Sequence, residues 1–202
     1  MKVAWANINN WESENLNVTF NKVYCCEIRE GVIVVEGSLA AVARVPLMKH
    51  TLTFAIYNDG RIDFSLDGNI RKNANWLPRL GFAWTLPASS SVFTYFGHGP
   101  IESYCDMHHW APVSLYESSA RQEYVPYVMP QDHALRTDIR YVQLLDKAGN
   151  GVQISMNEFF NFNAYQFTTD NLTKSQFTYQ LQPQADRYTL NLDYETTGVG
   201  CT

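Results

Sequence analysis

Apolar side chains return at every second residue along much of this chain, and that period commits those stretches to half-buried strands. Leu52, Phe54 and Ile56 alternate with smaller or polar neighbours, Asn58-Asp59-Gly60 supplies a turn, and Ile62, Phe64 and Leu66 resume the alternation before Asp67-Gly68-Asn69. The pattern predicts a hairpin. It returns from Ile139-Arg140-Tyr141 through Leu145, turned by Ala148-Gly149-Asn150-Gly151 into Val152-Gln153-Ile154. A third copy would set Phe177, Tyr179 and Leu181 against Tyr188, Leu190 and Leu192 across Pro183 to Asp186. No segment carries a long helical period, and only Thr169 to Gln176 suits a short helix, capped by Thr169 or Asp170. Sheets with one apolar face must stack on a second sheet or close into a barrel. The expected fold is all-β, a large antiparallel two-sheet sandwich, with loops such as Trp110 to Arg121 on its rim.

With 202 residues, 46% of them hydrophobic, and a net charge of -5, the chain has material for a sizeable core and no cationic surplus to hold a phosphate backbone. Nucleic acid is therefore not an expected partner. Nor is a membrane: no apolar run reaches the roughly 18 residues of a span. Met1-Lys2 leads into Trp5, Asn7, Asn9, Asn10 and Trp11 rather than into a signal-peptide core, so a soluble chain is expected. Asn69 to Pro78 is polar and could join two groups of strands, but Trp76 and Leu77 read as buried, and residues 1–202 read as one domain. Cys25 and Cys26 are adjacent while Cys105 and Cys201 stand apart. This is neither a zinc-site spacing nor a disulfide framework, so buried or idle thiols are expected. The sequons at Asn17 and Asn171 matter only in a eukaryotic secretory route.

The chemistry-bearing residues have bland readings. His98 lies between Gly97 and Gly99, followed by Pro100, Glu102 and Asp106. The glycines suit positive φ or close backbone approach, and the proline ends ladder pairing, so the stretch reads as a structural turn. His108-His109 would need a third ligand to hold a metal, and neighbours on a strand face opposite ways. No metal site is expected, and no cofactor. His133 follows Asp132, a weak hint of function, and Glu158 in Asn157-Glu158 sits between strands without an evident second carboxylate. No catalytic residue is assigned.

Several motifs in order carry a resemblance. They run Leu77-Pro78-Arg79-Leu80-Gly81, Tyr95-Phe96-Gly97-His98-Gly99-Pro100-Ile101-Glu102-Ser103-Tyr104, and Tyr124-Val125-Pro126-Tyr127-Val128-Met129-Pro130-Gln131 leading to Arg136-Thr137-Asp138. Phe160-Asn161-Phe162-Asn163, Asp170-Asn171-Leu172, Leu190-Asn191-Leu192-Asp193 and Gly198-Val199-Gly200 continue them. This succession resembles the carboxy-terminal domain of family 2 β-galactosidases, which is also the small chain of two-subunit versions, strongly from Leu77 to Gly200 and more loosely before. The resemblance implies a galactose-mutarotase-like supersandwich that packs against a catalytic barrel. It implies that the Phe-Gly-x-Gly-Pro-x-Glu stretch is framework, and that the acid/base and nucleophile glutamates lie in the barrel.

The chain departs from the family at Asp132-His133-Ala134, where Glu-Asn-Gly is common, at Ser103, where Asn is, and at Met107, where Arg is. Relatives also continue past Gly-Val-Gly to a Ser-Trp whose tryptophan forms a sugar platform, whereas here Cys201-Thr202 follow. An open sheet edge and self-association are expected from that end. The resemblance thus implies a non-catalytic domain, inactive alone, of a parent that hydrolyses β-galactosides with retention, in the cytoplasm or periplasm. Its expected partners are the barrel and other parent domains, and it meets galactoside substrate only through them. Two rivals are a sugar mutarotase using His98 or His109 with Glu102, and a carbohydrate-binding module with exposed aromatics, although most of the Trp, Tyr and Phe residues are expected in the core.

Overall fold

A computed structural model describes Trp11 and residues 13–196. The expectations that rest on Met1 to Asn10, on Gly198-Val199-Gly200 and on Cys201-Thr202, as well as the side chain of Asn17, lie outside the described residues. The chain divides into two compact units, Met1–Trp76 and Leu77–Thr202. The division falls inside the polar stretch Asn69 to Pro78, and Trp76, expected to be buried, is 44% exposed with its ring edge-on to Trp11 at 5.0 Å.

The first unit is a four-stranded antiparallel sheet of β1 (Thr19–Arg29), β2 (Val32–Ala41), β3 (Met48–Ile56) and β4 (Ile62–Ile70), in that order. Glu30 and Gly31 join β1 to β2 with φ of 48° and 81°, the left-handed pair that a two-residue hairpin turn needs. The predicted β3–β4 hairpin forms in register, with Phe54 opposite Phe64 and Leu52 opposite Leu66. Gly60 (φ 90°) makes its turn.

The second unit holds β5 (Arg79–Pro87), β6 (Val92–His98), β7 (Val113–Ser119), β8 (Arg136–Leu145), β9 (Gly151–Tyr165), the short helix α1 (Thr169–Lys174) and β10 (Arg187–Thr196). Its six strands pair antiparallel in the order β5-β10-β9-β8-β6-β7. The all-β, antiparallel class is as expected. One face of this sheet supplies a core of Phe93, Tyr95, Ile139, Phe160, Phe162 and Leu190 with their neighbours. The Phe93 and Phe162 rings meet edge-to-face at 5.5 Å, the arrangement that ring quadrupoles favour.

Several local expectations are corrected. Phe177 to Leu181 does not pair with β10, because Oε1 of Gln180 accepts from the amides of Gln176 and Phe177 and winds the segment into a 3-10 turn, Thr178–Gln180. β10 instead lies between β5 and β9, with Leu190 opposite Ala164. Trp110 to Arg121 is not a wandering loop: past Pro112, β7 pairs with β6, setting Tyr116 opposite Tyr95. The helix begins at Thr169 as expected but is capped by Thr168 rather than Thr169 or Asp170, its side chain accepting from the Asn171 amide at 3.0 Å, and it ends at Lys174 rather than Gln176. That helix also engages the second sequon: the Asn171 side chain accepts from Gln182 N at 2.8 Å and donates towards Ser175 Oγ at 3.4 Å. Cys25, Cys26 and Cys105 are free but exposed rather than buried. Most of the aromatics are expected in the core, yet a number are exposed, Trp84, Phe159, Tyr179 and Tyr194 among them.

Candidate functional site

The motif-bearing loops of the second unit gather where β6 and β8 meet the segments 99–112 and 120–135. β6 ends at His98, and the Gly99–Pro100 peptide that follows is cis. Neither Gly97 nor Gly99 has positive φ; both serve close approach. A Cβ at Gly99 would stand 2.5 Å from Tyr95 Oη and 2.8 Å from the Tyr116 ring. The loop then docks on the start of β8: Ser103 N donates to Leu135 O at 2.8 Å, and Thr137 Oγ1 to Ser103 O at 2.7 Å.

Carboxylates in this region are tied into the framework. Glu102, 8% exposed, accepts from the Tyr127 hydroxyl and, at 3.0 Å, from the Ala134 amide. Ala134 sits at φ 64°, in the left-handed region that favours glycine. Burial and then the Glu102 bond push the Tyr127 phenol up to about 12. Glu123 pairs with Arg136, both 4% exposed at the side chain. Burial raises the Glu123 carboxyl against the pull of Arg136. Arg136 also donates to Tyr95 Oη at 2.9 Å, Pro100 O at 2.9 Å and Ala134 O at 3.2 Å, so its fork is fully used.

A second knot joins β5 to β10. Arg79 donates to Asp193 at 2.5 and 3.0 Å and lies 3.4 Å from Asp132. Burial works against its charge, but the two carboxylates outweigh it and hold the guanidinium above its ordinary value. Burial pushes the Asp193 carboxyl up to about 6 despite Arg79. Asp132 further accepts from Asn163 at 3.0 Å, and from Tyr104 and Tyr165 at 3.3 Å each. Burial, with Asp132 adding to it, raises the Tyr104 phenol.

The histidines divide. His133 is 1% exposed, boxed by Tyr124, Tyr165 and Phe167, with Nδ1 donating to Gln131 O at 2.9 Å. His108 and His109 lie not on a strand but in a 3-10 turn, His108–Trp110, and the ring of His108 stacks on that of His98 at 5.3 Å. His98 contacts the Ala111 carbonyl through Nδ1 at 2.6 Å and Asp138 Oδ2 through Nε2 at 3.1 Å. Asp138 has φ 54° and occupies a bulge between Arg136 and Ile139, which aims its side chain towards His98. The fold therefore brings together His98, His108 and Asp138, with one ligand atom of each within 4.8 Å of the others.

Glu102 is not the partner of His98, and Asp106 and Glu158 stand exposed away from these bonds. Arg79, Glu123, Asp132, Asp138 and Asp193 were not singled out from the sequence as interacting groups. Their partners lie 13 to 114 residues away along the chain, and only the pairing of distant strands and the docking of the 120–135 loop bring them together.

A family model described as "Beta galactosidase small chain" matches residues 3–202, spanning both units. Among similar curated proteins, "Beta-galactosidase" of Actinobacillus pleuropneumoniae is 26% identical over 194 residues, covering 94% of this chain and 19% of that protein. The "Beta-galactosidase" of Priestia megaterium is 28% identical over 149 residues, covering 74% of this chain and 14% of its own length. That of Leuconostoc mesenteroides is 31% identical over 122 residues, 60% of this chain and 11% of the relative. The chain thus spans less than a fifth of the length of these relatives. A match running from residue 3 to residue 202, across both sheets and every motif above, places this chain in the β-galactosidase small-chain family.

Proposed function

We propose that this chain is the non-catalytic small-chain domain of a β-galactosidase, one domain in function despite its two units. The parent hydrolyses terminal β-D-galactosides with retention, through a glycosyl-enzyme on glutamates of a barrel outside these 202 residues. This chain supports the barrel and contributes assembly surface. The observation that carries the reading is the family match over the whole chain, set against its small share of each full-length relative. The carboxylate geometry supports it too. A retaining pair needs two acids about 5 Å apart that remain free to face a sugar, whereas Glu102, Glu123, Asp132 and Asp193 are each held by protein partners.

The full chain alone is expected to leave a nitrophenyl β-galactoside unhydrolysed. Robust turnover that disappears on Glu102→Gln would sink the reading. A carbohydrate-binding role has one observation in its favour: the Phe177 and Tyr179 rings stack at 5.5 Å and 7° while 51% and 81% exposed, a flat apolar surface in solvent. Calorimetric titration with lactose tests it, with heat that vanishes in Tyr179→Ala as the supporting result and no heat as the opposing one.

A further inference from the structure

We propose that His98, His108 and Asp138 form a binding site for one divalent transition-metal ion of the zinc class. Two imidazoles and one carboxylate, partly buried and converging within 4.8 Å, are the donor set that zinc, cobalt and nickel prefer and that magnesium does not.

The hydrogen bonds give the site its direction. A carbonyl oxygen only accepts, so the 2.6 Å contact with Ala111 O requires a proton on His98 Nδ1. In the neutral ring, Nε2 then carries the lone pair, and this faces Asp138 Oδ2 at 3.1 Å. Two lone pairs at that distance need a positive charge between or beside them, which either a second proton on the ring or a metal ion supplies, and the clustered His108 favours the metal ion. An imidazole anchored through one nitrogen to a backbone carbonyl, with the other nitrogen turned to a carboxylate, has the outer-sphere support typical of a ligating histidine.

His108 supplies the second, independent observation. Its Nδ1 is buried and has no hydrogen-bond partner, a condition it shares with His50 Nδ1 and His133 Nε2 among the described residues, but of these three rings only that of His108 lies in a cluster with a second imidazole and a carboxylate. Ligands bonded at about 2.1 Å around a tetrahedral ion stand roughly 3.4 Å apart. His98 and Asp138 are already near that spacing, and His108 reaches it by a side-chain adjustment in its short turn. A bound ion would clamp the end of β6, the 3-10 turn and the β8 bulge together.

The test uses the untagged full chain, titrated with Co2+ and with Zn2+ and followed by visible absorption and equilibrium dialysis. One bound equivalent is expected, with d–d absorption and no thiolate charge-transfer band, resistant to excess Mg2+. His98→Ala, His108→Ala and Asp138→Asn should each weaken binding by at least about tenfold. His109→Ala, and a Cys25→Ser/Cys26→Ser double variant that removes the exposed adjacent thiols, should not. Near-UV circular dichroism unchanged in Asp138→Asn separates lost ligation from lost folding. Absence of a bound equivalent, binding indifferent to both His98→Ala and Asp138→Asn, or binding that vanishes only with the cysteines would overturn the proposal; the first would leave His98 and Asp138 as a plain imidazolium–carboxylate pair.

Discussion

Arg136 and His98 sit on neighbouring strands of one sheet, yet their surroundings differ in kind. Around Arg136 the guanidinium is saturated: Glu123, Tyr95, Pro100 and Ala134 take it up, and Glu102 closes the adjoining loops. Around His98 the ring Nε2 faces the Asp138 carboxylate at 3.1 Å, and the buried Nδ1 of His108 has no hydrogen-bond partner. The saturated region holds the fold; the underbonded one has spare coordinating capacity.

Four experiments strain that contrast, taken from the largest effect to the smallest. Arg136→Met strands Glu123 in the interior and should cost about 3–5 kcal/mol, a fall in Tm on the order of 10 °C by calorimetry. A Tm within a degree or two of the parent chain would show the knot to be less closed than its bonds imply.

Acid titration of Asp193 should be nearly as large. Its folded value of about 6 lies above the ordinary carboxylate range, so the folded state keeps the proton longer than the unfolded one. The corresponding stabilisation is complete below about pH 4 and is lost as pH rises through 6, up to roughly 2–3 kcal/mol. Denaturant melts of Asp193→Asn should therefore gain on the parent chain as pH climbs from 4 to 6. A gap that narrows or reverses over that interval would contradict the raised carboxyl.

Gly99→Ala forces a methyl against the buried Tyr95 hydroxyl and the Tyr116 ring, next to the cis peptide that separates the two regions. About 1–3 kcal/mol of destabilisation is expected from the overpacking, and chemical denaturation at neutral pH would reveal it. The mildest change is His98→Gln in metal-free buffer. The His98–Asp138 pair is 18% and 43% exposed at its side chains, so its loss should shift stability by less than about 1 kcal/mol. A larger shift would move His98 into the saturated class.

The same contrast explains what could be read from the chain alone. The hairpins at Leu52–Leu66 and Ile139–Ile154 were legible because alternation and turn residues are local properties. Phe177, Tyr179 and Leu181 mimic the same alternation, but the Gln180 side chain captures the backbone there, and nothing in a two-residue period reveals a competing side-chain bond. Of the two readings that the sequence offers for Gly97 and Gly99, close approach holds and positive φ does not. Asp138 as the partner of His98 was not legible, since it depends on the β6–β8 register and on a bulge whose left-handed residue is not glycine. The framework role of Glu102 came from the motif, while its bond to the Ala134 amide came only from the fold.

β1 borders its four-stranded sheet, and Cys25 and Cys26 follow one another along it, both exposed and opposite Glu36 and Val35. Consecutive positions on a strand point to opposite sides, so the molecule carries a built-in pair of chemical labels, one per surface of that sheet. Should a binding partner cover one surface, the alkylation rates of the two thiols would diverge, and the slower one would identify the side that has been covered.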